Sequence, residues 1–262
     1  MAHSHLIAGE TPVHLTVRRI TAADLKDALA RGLDDFLVMP SHAVLLCLVY
    51  PVVAILLAHL TLGYAVLPLF FPLAAGFALI GPFAAIGFYE LSRQREQGRT
   101  VSWHDAFDVF HSPSFGAIAA LAVLMLMIFF VWLAVAQAIY VATFGYAPAA
   151  SIPDFLTEIF TTSAGWTLIL VGNGVGFLFA VLVFTISVVS FPLLVDRDVG
   201  AAPAIVTSVR AVLANPATMA LWGLIVAGLL VAGSLPFFLG LAVVLPILGH
   251  ATWHLYRKVV EA

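Results

Sequence analysis

The sequence predicts an all-α fold: a polytopic membrane helical bundle of about six transmembrane helices with three cytoplasmic interfacial amphipathic helices. Three observations point there. Of 262 residues, 63% are hydrophobic and 10% charged, with a mean hydropathy of +1.09, and a soluble domain could not cover that much apolar surface. Four stretches, residues 36–89, 109–153, 159–195 and 211–256, contain no Asp, Glu, Lys or Arg. Before each outbound helix stands a proline, and before each proline a segment of helical periodicity.

A spanning helix needs roughly 20 apolar residues, so the first and last charge-free stretches each hold a pair and the middle two hold one apiece. The helices are expected at 42–60, 64–90, 115–142, 166–193, 217–233 and 235–256. Turn chemistry at Thr61-Leu62-Gly63 and at Gly233-Ser234-Leu235-Pro236 separates the paired helices. The fifth helix, at about 17 residues, rises only about 25 Å, so a full crossing and a re-entrant hairpin are both open for 217–256.

Lys and Arg resist translocation and mark the cytoplasmic side. Arg18, Arg19, Lys26 and Arg31 precede the first helix, and Arg93, Arg95 and Arg99 follow the second. Arg197 and Arg210 follow the fourth; Arg257 and Lys258 follow the sixth. All eleven therefore fall on one side, and both termini are expected in the cytoplasm. The first residues lack the apolar core of a signal peptide, so the first helix is expected to act as the insertion signal. Cys47 is the single cysteine, which excludes a disulfide within the chain. A net charge of −3 without a basic stripe implies no nucleic-acid partner.

The prolines Pro40, Pro113 and Pro216 put three segments in a common register. At three, four and seven residues before them stand Leu37, Phe36 and Leu33; Phe110, Val109 and Ala106; Leu213, Val212 and Val209. All nine are apolar and lie on one face of a 3.6-residue helix. The opposite faces carry Asp27, Arg31 and Asp34; His104, Asp108 and His111; Ser208 and Arg210. Thr21-x-x-Asp24 and Ser102-x-x-Asp105 read as capping boxes, and Pro203 suits a first turn. Pro82 and Pro246 precede Arg93 and Arg257 by the same spacing. The expected organisation is an N-terminal tail, 1–20, and a single membrane domain, 21–258, built as a candidate parallel repeat of units 21–98, 99–198 and 199–258.

"ALARGLDDFLVMP", "GPFAAIGFYELSRQREQGR", "SVVSFPLLVDRDVGAAPAIVTSVRAVLANP" and "PILGHATWHLYRKVV" together resemble a family of predicted bacterial, largely alphaproteobacterial, integral membrane proteins of unknown function. The resemblance runs from Arg18 onward and implies a small inner-membrane protein with no established site to carry over. Some relatives are labelled cytochrome c oxidase subunit I. Haem ligation needs histidines facing one another within the bilayer, whereas His59 and His250, the two nearest membrane depth, sit near helix ends.

Several residues are candidates for chemistry. His250 and His254, four apart on one helical face, and the stripe of His104, Asp108 and His111 have spacings compatible with a transition metal. The aromatic and basic character of "HATWHLYRK" fits instead a helix leaving the membrane, with Trp253, Tyr256 and Arg257 at the headgroups. Glu90 and Arg93 are spaced for a boundary ion pair. Gln137 and Asn173 lie at similar depth in the third and fourth helices. They could bond one another or line a polar pathway, and Gly172 and Gly176 permit close helix approach. The outer segment 151–166 is expected as a short surface helix.

No nucleophile elbow, phosphate-binding loop, zincin or dinucleotide motif occurs, so neither an enzyme nor a cofactor is expected. The expected function is a structural or accessory inner-membrane component meeting the lipid bilayer and a membrane-protein partner or a second copy. A small-solute channel or facilitator is the alternative, and metal handling the third.

Overall fold

The computed structural model describes residues 15–39, 72–73, 81–146, 152–235 and 239–261. The expected first helix with Cys47 and His59, most of the second, Pro40, Pro68 and the turn at Thr61-Leu62-Gly63 lie outside the described residues, as does Pro236. The described secondary structure is helical apart from one isolated bridge, Val17 with Val260.

The first interfacial helix, α1, is Ala22–Val38. The Asp24 carboxylate accepts from both the backbone N–H and the hydroxyl of Thr21 at 2.8 Å, using an acid to satisfy an otherwise orphan donor at the helix start. The end of the second expected helix appears as α2, Gly81–Ala84, and α3, Ile86–Glu96. The second interfacial segment, Trp103–His111, opens on the expected capping interaction, Ser102 N–H to Asp105 at 2.6 Å, but it is a 3₁₀ helix. Its side chains therefore repeat every three residues rather than every 3.6.

The membrane-crossing candidates follow. α4, Phe115–Phe144, ends at Gly145, whose φ of 76° suits a residue without Cβ. α5, Ile152–Thr161, is the expected short outer helix, and the Thr162 hydroxyl, accepting from Gly165 N–H at 3.0 Å, caps α6, Ser163–Ser187. After a break at Val188 and Val189 comes α7, Ser190–Asp196. Ser208 closes that break, donating to the Thr185 carbonyl at 2.8 Å and accepting from Val189 N–H at 3.2 Å. Gly200, at φ 81°, leads into the third interfacial helix, α8, Ala201–Ala214. Pro216, whose missing N–H costs nothing in a first turn, opens α9, Pro216–Ser234, and the last helix, α10, is Leu241–Val259. Among the described residues α4, the continuous α6–α7 rod and α9 are long and apolar enough to cross a membrane.

The last helix corrects one expectation. Trp253 and Tyr256 are not at the headgroups: both are buried, because α1, α3 and α7 pack around the second half of α10. Their polar atoms find partners inside, as buried Trp and Tyr require: the Trp253 indole donates to Glu96 at 3.1 Å and the Tyr256 hydroxyl to Asp196 at 2.6 Å. Asp196 is accordingly held by the fold rather than left in water.

Small residues set the closest approaches. A Cβ on Gly32 of α1 would lie 2.5 Å from the Ala251 backbone nitrogen, and one on Gly87 would lie 3.2 Å from the Ala106 Cβ. Ala251 and Gly87 each stand five residues after the matched prolines Pro246 and Pro82. The interfacial segments lean in a regular order: the 3₁₀ segment on α3, α8 on α6 and α7, and α1 on α10. The second and third thus pack on the helices that precede them in the chain, and the first packs on the last helix.

Candidate functional site

Where α1, α3 and α10 meet, a polar cluster forms around buried Asp35, Ser92 and His250. Asp35 of α1 accepts from the Ser92 hydroxyl of α3 at 2.6 Å and from His254 Nε2 of α10 at 2.9 Å. Arg95 of α3 pairs with Asp35 and, at 2.7 Å, with Asp34. His250 Nδ1 lies 2.7 Å from the Ser92 oxygen. Ser92 has one proton and directs it to a carboxylate that can only accept, so His250 must be the donor at Nδ1. Its Nε2 is buried without a hydrogen-bond partner among the described residues, and the Phe88 ring meets the imidazole edge-on at 5.4 Å.

Burial pushes the Asp35 carboxyl upward, but hydrogen bonds from His254 and Ser92 and attraction to the two imidazoles outweigh it, so its pKa falls below the ordinary value. Asp, Ser and His here run in the order carboxylate, hydroxyl, imidazole. The Ser92 proton points at the acid and not at a base, and the side chain is buried, so the array braces three helices and does not activate a nucleophile.

A second cluster adjoins it. Arg93 forks onto Glu90 at 2.8 and 2.6 Å, and Gln94 bridges Glu90 and Asp108 at 2.8 and 2.9 Å. Arg93 is raised above its ordinary pKa, chiefly by the Glu90 hydrogen bonds. A cleft of about 250 Å³ opens beside this cluster, lined by Glu90, Arg93, Asp108, His111, Asp196 and Arg197 among others. Most of its charges are paired: Asp196 receives Arg197 at 3.4 Å and, from outside the lining, Arg257 at 3.3 Å, while Asp198 forms no ion pair among the described residues.

Both clusters draw on the segment 81–111, and the cleft extends to Asp198. Residues 70–196 match the model of a family described as "Predicted integral membrane protein (DUF2189)". That stretch of the chain is similar to this family. The match agrees with the family resemblance in the sequence, and the family is one of unknown function. No curated protein and no solved structure matches the chain.

The matched segment contributes Glu90, Ser92, Arg93, Gln94, Arg95 and Asp108, while Asp35, His250 and His254 come from chain flanking it. The expected Glu90–Arg93 pair is present. Gln137 of α4 and Asn173 of α6 are both exposed and do not bond one another: Asn173 donates to the Ile169 carbonyl of its own helix at 2.7 Å, the default of an amide facing an apolar medium. Gly176 meets the Trp132 ring, 3.0 Å from where a Cβ would stand, whereas Gly172 faces open space.

The stripe of His104, Asp108 and His111 does not survive the 3₁₀ geometry. Asp108 and His111, three apart, share a face and line the cleft, while His104 turns away to stack on Trp103 at 3.6 Å. His250 is enclosed by Ser92, Asp35 and Phe88, apart from that segment. Among the described residues no group of three or more His, Cys, Asp and Glu side chains is arranged to hold a metal ion.

Asp35 and Ser92 are the hub residues that sequence reasoning missed. A signal existed: Ala28, Gly32 and Asp35 fall at i, i+4 and i+7, placing an acid on the small-residue face that α1 presses against α10.

Proposed function

We infer that the protein is a non-enzymatic structural or accessory component of the bacterial inner membrane. The carrying observation is the hub at Asp35, where ionisable groups from three separated chain segments consume one another's hydrogen-bonding capacity. Groups committed in this way hold helices in register and have little capacity left for a substrate. The pairing of Thr16–Arg18 with Val259–Glu261 supports placing both termini on one side. Clustering of the basic residues in mutually packed segments supports calling that side cytoplasmic. The order of packing, the second and third interfacial segments on the helices that precede them and the first on the last helix, supports a six-crossing arrangement in three parallel units. The implied associates are lipid and a membrane-protein partner or second copy.

Reconstitution in liposomes tests this reading. Vesicles carrying the protein are expected to stay impermeable to ions and small neutral solutes, and gentle extraction is expected to recover a complex larger than the monomer. Saturable solute flux would reject it in favour of a channel or facilitator. That second reading draws on the exposed positions of Gln137 and Asn173, which a second copy would enclose.

A further inference from the structure

Each of the three interfacial segments carries an exposed apolar edge among the described residues. Leu37, Phe110 and Leu213, each three residues before its proline, are 64%, 58% and 71% exposed, while their neighbours Phe36 and Val109 are buried. One equivalent apolar position is thus turned outward three times. On α1 the outward stripe is Lys26, Leu33 and Leu37, at i, i+7 and i+11; on α8 it is Val206, Arg210 and Leu213, at i, i+4 and i+7, so Arg210 stands beside Leu213 rather than on the opposite face expected from the sequence register, and Ser208 is turned inward. On the 3₁₀ segment, Phe107 and Phe110 stack at 6.2 Å, and Phe110 packs on Phe115 at 5.6 Å. Phe115 is the first residue of the spanning candidate α4 and is itself exposed, so the edge continues onto the face of that helix.

The cations of these stripes form no ion pair among the described residues. Seven of the eleven Lys and Arg form ion pairs. Arg19, Lys26, Arg99 and Arg210 form none among the described residues, and all four are exposed. Lys26 and Arg210 carry their charges on the same stripes as Leu37 and Leu213, with stems long enough to reach past an apolar boundary to phosphate.

We propose that the interfacial segments form a collar that binds anionic phospholipid: Leu37, Phe110 and Leu213 enter the acyl boundary of the inner leaflet, and Lys26 and Arg210 engage the headgroup phosphates. This rests on the reading of the protein as an inner-membrane bundle with these segments on the cytoplasmic side. Cations held out of internal ion pairs beside an apolar edge complement an anionic surface, and the step from Phe110 to Phe115 joins the edge to the lipid-facing side of α4.

The test uses the full chain in bilayers of phosphatidylcholine with a minority of phosphatidylglycerol. Spin-labelled phosphatidylglycerol is expected to be retained over spin-labelled phosphatidylcholine at low salt, and salt is expected to weaken the preference. Lys26→Gln with Arg210→Gln is expected to lower it by about fivefold per charge removed. Arg18→Gln with Glu261→Gln, which removes an internally paired cation together with its partner, is expected to leave it unchanged. Nitroxides at L37C, F110C and L213C, each in a Cys47→Ser background, are expected to show oxygen-rich, nickel-poor accessibility, and one at R99C the reverse of the insertion signature. Equal retention of the two lipids, or water-like accessibility at all three apolar sites, would overturn the collar. A protein that behaves so yet stays integrated and impermeable leaves the structural reading standing, whereas solute flux with intact lipid preference removes that reading and leaves the collar.

Discussion

At the scale of single residues, Asp35 bears the largest electrostatic responsibility. Removing its carboxylate leaves Arg95 and two imidazoles without their common partner, and breaking a buried pair from one side costs about 3–5 kcal/mol. Asp35→Ala is expected to lower the thermal midpoint of the detergent-solubilised protein, read by intrinsic tryptophan fluorescence, with more residual stability in Asp35→Asn. The pH dependence has a definite sign. Because the folded carboxyl is held below its ordinary value of about 3.9, its contribution is complete above that value and disappears as pH falls through the folded one. Asp35→Asn is therefore expected to flatten the acid limb of stability, and an unchanged limb would count against the hub. Sequence exposed the Glu90–Arg93 pair because both partners lie on one helical turn. It concealed Asp35 and His254 because they are 219 residues apart, and helical spacing carries no information across that distance.

At the scale of elements, glycine positions separate packing from mere flexibility. A methyl group at Gly32 would strike the Ala251 backbone at 2.5 Å, and backbone cannot swing aside as a side chain can. Gly32→Ala is expected to cost about 1–3 kcal/mol and to loosen α1 from α10, visible as faster proteolysis in α1. Gly172→Ala, facing open space, is expected to cost nothing and serves as the matched control in the same melting measurement. The long apolar elements were legible: α4 and α9 differ from the expected 115–142 and 217–233 by at most two residues at either end. Less legible was the second half of α10. Its aromatic and basic residues resemble a membrane-exit belt, and only the packing of α1, α3 and α7 around it reveals a core.

At the scale of the whole molecule, two short segments lie side by side: Arg18 N–H reaches the Val259 carbonyl at 2.7 Å and Glu261 N–H the Thr16 carbonyl at 3.0 Å. Val17 and Val260 form the non-hydrogen-bonded pair between them, whose Cα atoms in such a ladder stand about 4.5 Å apart, within reach of a disulfide. V17C/V260C in a Cys47→Ser background is expected to oxidise to a faster-migrating species on a non-reducing gel. In the reduced form it is expected to react with an impermeant maleimide only in inverted vesicles. Labelling in right-side-out cells would reverse the proposed orientation. The sequence register hinted at three units but could not say which unit meets which, because that depends on the closure of α1 against α10. The same closure carries a consequence for biogenesis. During synthesis α1 emerges before its docking surface on α10, so Gly32 and Asp35 must wait through the insertion of the intervening helices. Until α10 arrives, a nascent chain presents Asp35 without its histidine partner and an open small-residue groove, a signature by which quality-control proteases or insertion chaperones could distinguish unfinished copies from completed ones.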